Sequence, residues 1–140
     1  MIKIDPQAWK VMLEHAHGAF PKECCGLMIG KMDGDARAVT KAVACANVYQ
    51  GEQADRFKID EKEQMRIQKE ADAAGLDVVG FFHSHPDCDA YFSSTDLANS
   101  WPWYSNVVLS VQGGKFHHAR SFVVNLDQSQ ADPEELQHPQ

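Results

Sequence analysis

The spacing of apolar residues changes period several times along the chain. Ala8, Trp9, Met12, Leu13 and Ala16 recur three and four positions apart, the stripe of a helix that buries one face. Asp5-Pro6 starts it, with an N-cap acid and a proline whose missing N–H is harmless in the first turn, and Gly18 stops it. Cys25 to Gly30 then reads as a short apolar strand, Asp33-Gly34-Asp35 as a turn, and Ala36 to Ala46 as the hairpin partner, closed by Asn47. Tyr49 to Asp55 is polar and contains Gly, so it reads as a loop, and Arg56-Phe57-Lys58-Ile59 has the composition of a short strand. Asp60 caps a helix over about residues 61–74 whose thin apolar face is Ile67, Ala71 and Ala74. Its other side is charged, and Gly75 ends it.

The most apolar stretch follows, Val78-Val79-Gly80-Phe81-Phe82-His83-Ser84-His85-Pro86. It is too short for a core helix and rich in β-branched and aromatic residues, so it predicts a fully buried strand ending at the proline. After a loop, Ser93-Ser94-Thr95-Asp96 forms a capping box before a short helix, Leu97-Ala98-Asn99. Trp101 to Tyr104 is an aromatic connection, Val107 to Val111 a buried strand, Gly113-Gly114 a turn and His118 to Val124 a last strand. The final residues carry Pro133, Pro139 and little that is apolar. The pattern predicts one α/β domain over residues 1–125, with a mixed central β-sheet flanked by helices, and a disordered tail over 126–140.

Composition narrows the function. A chain of 140 residues suffices for one domain with a real core. Its 13 Lys+Arg against 20 Asp+Glu give a formal net charge of -7, which argues against a nucleic-acid partner. No segment has the length and apolarity of a signal peptide or membrane span, so a cytoplasmic protein without membrane attachment is expected. Cys24, Cys25, Cys45 and Cys88 show no C-x-x-C spacing, and a cytoplasm would keep them reduced.

Strand alternation sends His83 and His85 to one face, with Cα atoms about 6–7 Å apart, and Ser84 to the other. Zinc–nitrogen distances of about 2.0–2.1 Å suit an ion shared between two such imidazoles, with a carboxylate from the next segment as third ligand and one position left for water. Asp96 is placed for it. A plainer reading has Ser93 and Asp96 only capping the helix, although a carboxylate has two oxygens and the roles can coexist. Glu23 alone reads as a solvated loop carboxylate. His15 and His17, two apart on a helix, do not face each other and are read as solvated. His117 and His118 are adjacent on a strand and are read as solvent-facing. Cys24 and Cys25 are small buried residues of a strand edge, and Cys88 is at most a marginal extra ligand or redox handle.

Four separated elements recur together in a known family. His83-Ser84-His85-Pro86, Asp96 ten positions past the proline, Ser93 three before that Asp, and Glu23 within Pro21-Lys22-Glu23-Cys24-Cys25-Gly26-Leu27-Met28-Ile29-Gly30 resemble the JAMM motif of the JAB/MPN zinc metalloproteases, in the short prokaryotic form. The resemblance implies a cytidine-deaminase-like fold, with zinc on His83, His85 and Asp96. It also implies Glu23 as the catalytic proton carrier and Ser93 as a donor to the tetrahedral oxyanion. The implied reaction is hydrolysis of an amide bond after the C-terminal Gly of a ubiquitin-like or sulfur-carrier protein. Tyr91-Phe92 and Trp101-Pro102-Trp103 are available to line a narrow cleft for such a substrate. Deaminase chemistry itself is excluded, because the residue two after His83 is His85 rather than Glu and no Pro-Cys-x-x-Cys element exists.

Three alternatives stand beside this reading. A RadC-like protein would carry His-Asn-His-Pro-Ser-Gly where this chain has His83-Ser84-His85-Pro86-Asp87-Cys88. A phage-tail peptidase often carries a second peptidase module. A non-enzymatic assembly scaffold would bind no metal, so metal analysis separates it from the enzyme.

Overall fold

The computed structural model describes residues 1–140. In chain order the elements are β1 (Ile2–Ile4), α1 (Pro6–Ala19), β2 (Cys25–Asp33), β3 (Ala36–Cys45), α2 (Glu61–Ala73), β4 (Asp77–Pro86), α3 (Ser94–Ala98), β5 (Ser105–Gln112), β6 (Lys115–Val124), β7 (Ala131–Glu134) and β8 (Leu136–Gln137). The strands form one 8-stranded sheet in the order β7-β6-β5-β4-β2-β3-β1-β8. The sheet is mixed, as expected: β4 runs antiparallel to β2 and parallel to β5. The hairpins β2–β3 and β5–β6 explain the antiparallel pairs, since each is joined by a tight turn carrying Gly at positive φ, Gly34 at 63° and Gly113 at 60°.

Two cores cover the two faces. Trp9, Met12 and Ala16 of α1 pack with Met28, Val79, Phe82 and Leu109. Ile67 and Ala71 of α2 pack with Cys25, Leu27, Ile29 and Val78. The pairing of β2 with β4 slips between Met28 and Ile29, which leaves Val79 without a partner across the ladder. That extra residue reverses the side-chain parity, so Phe81 joins Val78 on the α2 face although simple alternation from Val78 would turn it away. His83 and His85 inherit this face and Ser84 the opposite one. Gly26 is required by the same packing, because a Cβ there would collide with the fully buried Phe82 ring and the Val43 carbonyl.

Several expectations are corrected. The segment 126–140 is not a disordered tail: it forms β7, paired with β6, and β8, paired with β1. Backbone hydrogen bonds to the two sheet edges hold it rather than a large apolar face, so its polar composition gave no sign of order. Ser121 Oγ donates to Glu134 Oε1 at 2.7 Å, and the His138 ring stacks on Trp9 at 4.2 Å. Arg56 to Ile59 is an extended loop rather than a strand, and β1 was not expected at all. His15 is not solvated, since its Nε2 lies 3.1 Å from the Cys25 carbonyl and 3.0 Å from that of Cys45. Cys25 sits between β3 and β4 in the middle of the sheet, not at an edge.

Candidate metal centre and active site

The end of β4 and the start of α3 converge on one point. His83 Nε2 lies 3.2 Å from His85 Nε2 and 3.2 Å from Asp96 Oδ2, and His85 Nε2 lies 3.3 Å from the same oxygen. All three residues are buried. Atoms held about 2.0–2.1 Å from a common centre at tetrahedral angles are about 3.3 Å apart, so this triangle has the dimensions of three ligands of one tetrahedral ion. Two imidazoles and a carboxylate are also the donor types zinc takes in catalytic sites. The residues fit a metal, and the cluster is suited to binding one.

The capping box holds the third donor. Ser93 N–H donates to Asp96 Oδ2 at 3.0 Å while Asp96 N–H donates to Ser93 Oγ at 2.9 Å. One oxygen, Oδ2, thus both caps α3 and faces the two histidines, where the sequence allowed the roles to divide between two oxygens. Burial acts to raise the Asp96 carboxyl, but the adjoining His83 and His85 rings and the Ser93 N–H outweigh it and hold the group well below the usual carboxylate range. His83 is pushed the other way: burial lowers it and the like charge of His85 adds to that, against the pull of Asp96. The neutral imidazole is the form that ligates. His85 Nδ1 lies 3.0 Å from the Asp89 carbonyl, to which it donates, leaving Nε2 as the free lone pair.

Glu23 is 3% exposed, against the solvated reading its loop position suggested. Its backbone is clamped from several sides. Glu23 N–H donates to Gln53 O at 2.7 Å, Asn47 Nδ2 donates to Glu23 O at 3.2 Å, and the next residue, Cys24, donates to Ser84 Oγ at 2.8 Å. Its Oε1 is buried with no partner in the protein. Burial, then the charges of Asp96 and Asp55, push the Glu23 carboxyl up to about 9. A buried, unpaired carboxyl with a strongly raised pKa beside a ligand cluster is the pattern of a functional acid or base.

Sequence reasoning missed three supports. The Phe57 ring stacks on His83 at 4.7 Å, in the segment read as a strand. Ser84, the middle residue of the His-x-His pair, points away from the cluster as alternation predicts, and there it fixes Cys24 and so Glu23. Asn47 and Gln53 complete the clamp and had no distinguishing spacing. The aromatic residues divide differently from expectation. Trp101 lines a cleft of about 740 Å³ with Phe57, Ile59, Met65 and Phe81, and Asp96 lies in its wall. Tyr91 packs against the His85 ring at 4.9 Å, Phe92 stacks on Phe122, and Trp103 is elsewhere, under the Arg37 guanidinium at 4.3 Å. Cys88 is half-buried, and burial followed by the charges of Glu23, Asp89, Asp87 and Asp96 raises its thiol, which disfavours the thiolate a ligand or nucleophile needs. No helix is long and apolar enough to cross a membrane.

Known proteins resemble this chain in sequence and fold. Residues 5–125 match the family described as prokaryotic homologs of the JAB domain. A desampylase of Haloferax volcanii is 40% identical over 106 residues, which span 75% of this chain and 74% of that protein. The solution structure of a Desulfitobacterium hafniense protein superimposes with a TM-score of 0.85 at 32% identity, covering 100% of this chain and 94% of that one. A Salinibacter ruber protein gives 0.74 at 28% identity over 98% and 91%. The JAB1/MPN domain protein of Archaeoglobus fulgidus, at 18% identity over 99% of each chain and a TM-score of 0.62, shares the fold. The chain belongs to the prokaryotic JAB-domain family.

Proposed function

We propose that the protein is a zinc-dependent hydrolase that cleaves the amide or isopeptide bond following the C-terminal Gly of a ubiquitin-like or sulfur-carrier protein. The observation that carries the reading is the triangle of His83, His85 and Asp96 at ligand spacing, beside the buried, unpaired carboxyl of Glu23. The Haloferax volcanii relative, a desampylase, supports an isopeptide bond as the target. An assembly scaffold would have no use for the Glu23 carboxyl, whose burial with Oε1 unpartnered is costly unless something is bound.

His83, His85 and Asp96 would hold the zinc, and the bound ion would lower the pKa of a water to about 7 and so make a nucleophile available at neutral pH. Beside a dication the Glu23 carboxyl is drawn back toward its ionised form. It then takes the proton of the attacking water and passes it to the leaving amine. Ser93 Oγ already accepts from Asp96 N–H, which leaves its own hydroxyl proton free to donate to the tetrahedral oxyanion. Such a donor contributes about 3–4 kcal/mol to barrier lowering. Phe57 covers one face of His83 and limits water at the cluster. The cleft between Trp101, Met65 and Phe57 reaches Asp96 and suits an extended tail. Beside the buried cluster, glycine is the residue that passes with least displacement.

The test is cleavage of carrier proteins extended beyond Gly-Gly, read by mass spectrometry with zinc-loaded enzyme. Cleavage at the Gly-Gly junction is expected. Equal cleavage when Gly-Gly is replaced by bulkier residues would overturn the substrate assignment, and absence of zinc from purified protein would return the chain to the scaffold reading.

A further inference from the structure

His85, Ser110 and His118 stand side by side on β4, β5 and β6, as Cα partners in two successive ladders. The loop after β4 folds back over this row, and each of the three holds one of its backbone atoms. Ser110 Oγ donates to Cys88 O at 2.5 Å. His85 Nδ1 bonds Asp89 O at 3.0 Å, and Ala90 N–H donates to His118 Nε2 at 3.2 Å.

The last two bonds share one peptide group. Its carbonyl, on Asp89, accepts from His85, and its N–H, on Ala90, donates to His118. The proton positions follow from the chemistry. An amide N–H only donates, so His118 Nε2 must be the unprotonated nitrogen and its proton sits on Nδ1. That nitrogen lies 2.7 Å from His117 Nδ1, which accepts it. Every donor therefore points outward, from His85 through the peptide and His118 to the exposed His117. A peptide whose N–H is engaged has a more negative carbonyl oxygen, because hydrogen bonds in a chain polarise one another. A stronger acceptor at Asp89 fixes the His85 proton on Nδ1 and makes Nε2 a better donor to a metal.

We infer that His118 is a positioning residue of the metal centre: it orients and polarises the Asp89–Ala90 peptide, and through it sets the tautomer and basicity of His85. Burial, then the positive charge of Arg120, lowers the His118 pKa and favours the neutral ring that the bond requires. His118 touches neither the cluster nor the cleft, so it needs no contact with substrate to act. The inference rests on the metal reading of His83, His85 and Asp96 given above.

The experiment measures zinc affinity by competition with a chromophoric chelator, for the wild type, His118→Leu and His118→Gln. The Gln carbonyl can still accept from Ala90 N–H, whereas Leu keeps bulk and cannot. His118→Leu should weaken zinc binding by about 10–100-fold, the usual effect of losing an outer partner of a ligating histidine. His118→Gln should restore most of it, and the metal-free melting temperatures of the two variants should agree. Wild-type affinity in His118→Leu would overturn the inference while leaving the metal centre intact. Equal losses in both variants, tracking equal losses of metal-free stability, would also overturn it and reduce His118 to packing. A wild-type chain that takes up no zinc would overturn the metal reading itself, and this inference with it.

Discussion

Replacing Glu23 by Gln should lower activity and, at the same time, change how stability depends on pH. In the metal-free protein the Glu23 carboxyl is raised from its ordinary 4.5 to about 9, first by burial and then by Asp96 and Asp55. Below about pH 4.5 the folded and unfolded chains both hold the proton. Between there and about pH 9 only the folded chain does, so the stability this group contributes at low pH is lost as pH rises. The loss is about 1.4 kcal/mol for each pH unit, or about 3 kcal/mol between pH 5 and pH 7.5. Gln cannot titrate. Burying its amide has some fixed cost, but that cost is the same at both pH values. Urea unfolding of chelator-treated protein should therefore show the variant gaining about 3 kcal/mol on the wild type from pH 5 to pH 7.5. After reloading with zinc, Glu23→Gln should keep near-stoichiometric metal and lose on the order of 10²–10⁴ in rate. A stability difference that is constant between the two pH values would refute the buried, proton-holding carboxyl, and full turnover would refute its role as base.

Asp96→Ala removes both a cluster donor and the reciprocal half of the capping box that Ser93 begins, so zinc content by atomic emission and turnover should fall together, with about 1 kcal/mol of metal-free stability lost as well. Full zinc in that variant would reduce Asp96 to its capping role. Ser84→Ala leaves the Cys24 N–H without its acceptor inside the sheet. A loss of about 1–3 kcal/mol in chemical unfolding is expected, with a lower kcat at unchanged zinc affinity because Glu23 loosens. Trp101→Ala opens the wall of the cleft and should raise KM for a carrier-protein substrate while leaving zinc content untouched. An unchanged KM would move the substrate path elsewhere.

The cluster was legible because its chemistry is local. Two histidines at strand spacing and an acid in a capping box are read from neighbours in sequence, and the structure brings the three donors together. Glu23 could be placed only by resemblance. What clamps its backbone comes from Asn47, Gln53 and Ser84, residues up to 61 positions distant that carry no spacing signal. His118 was read as solvent-facing for a similar reason, since its partner is a backbone N–H in another segment. The sheet was legible as strands and hairpins, but the unpaired Val79 was not, because apolar residues on both sides of it hide a change of parity. The last strands escaped notice since backbone pairing leaves no hydrophobic pattern to read.

Those last strands have a consequence for how the molecule behaves in company. β7 and β8 are separated only by Glu135, yet one lies along β6 and the other along β1, so a single short segment occupies both margins of the sheet. Unpaired margins are templates on which a second chain can add a strand. The turn leading into the segment is open to proteases, with Leu126 90% exposed, and a nick there would free both margins together. None of Ala131 to Gln137 lines the cleft. The nicked protein would therefore keep its catalytic machinery and acquire concentration-dependent self-association, with loss of solubility preceding loss of chemistry.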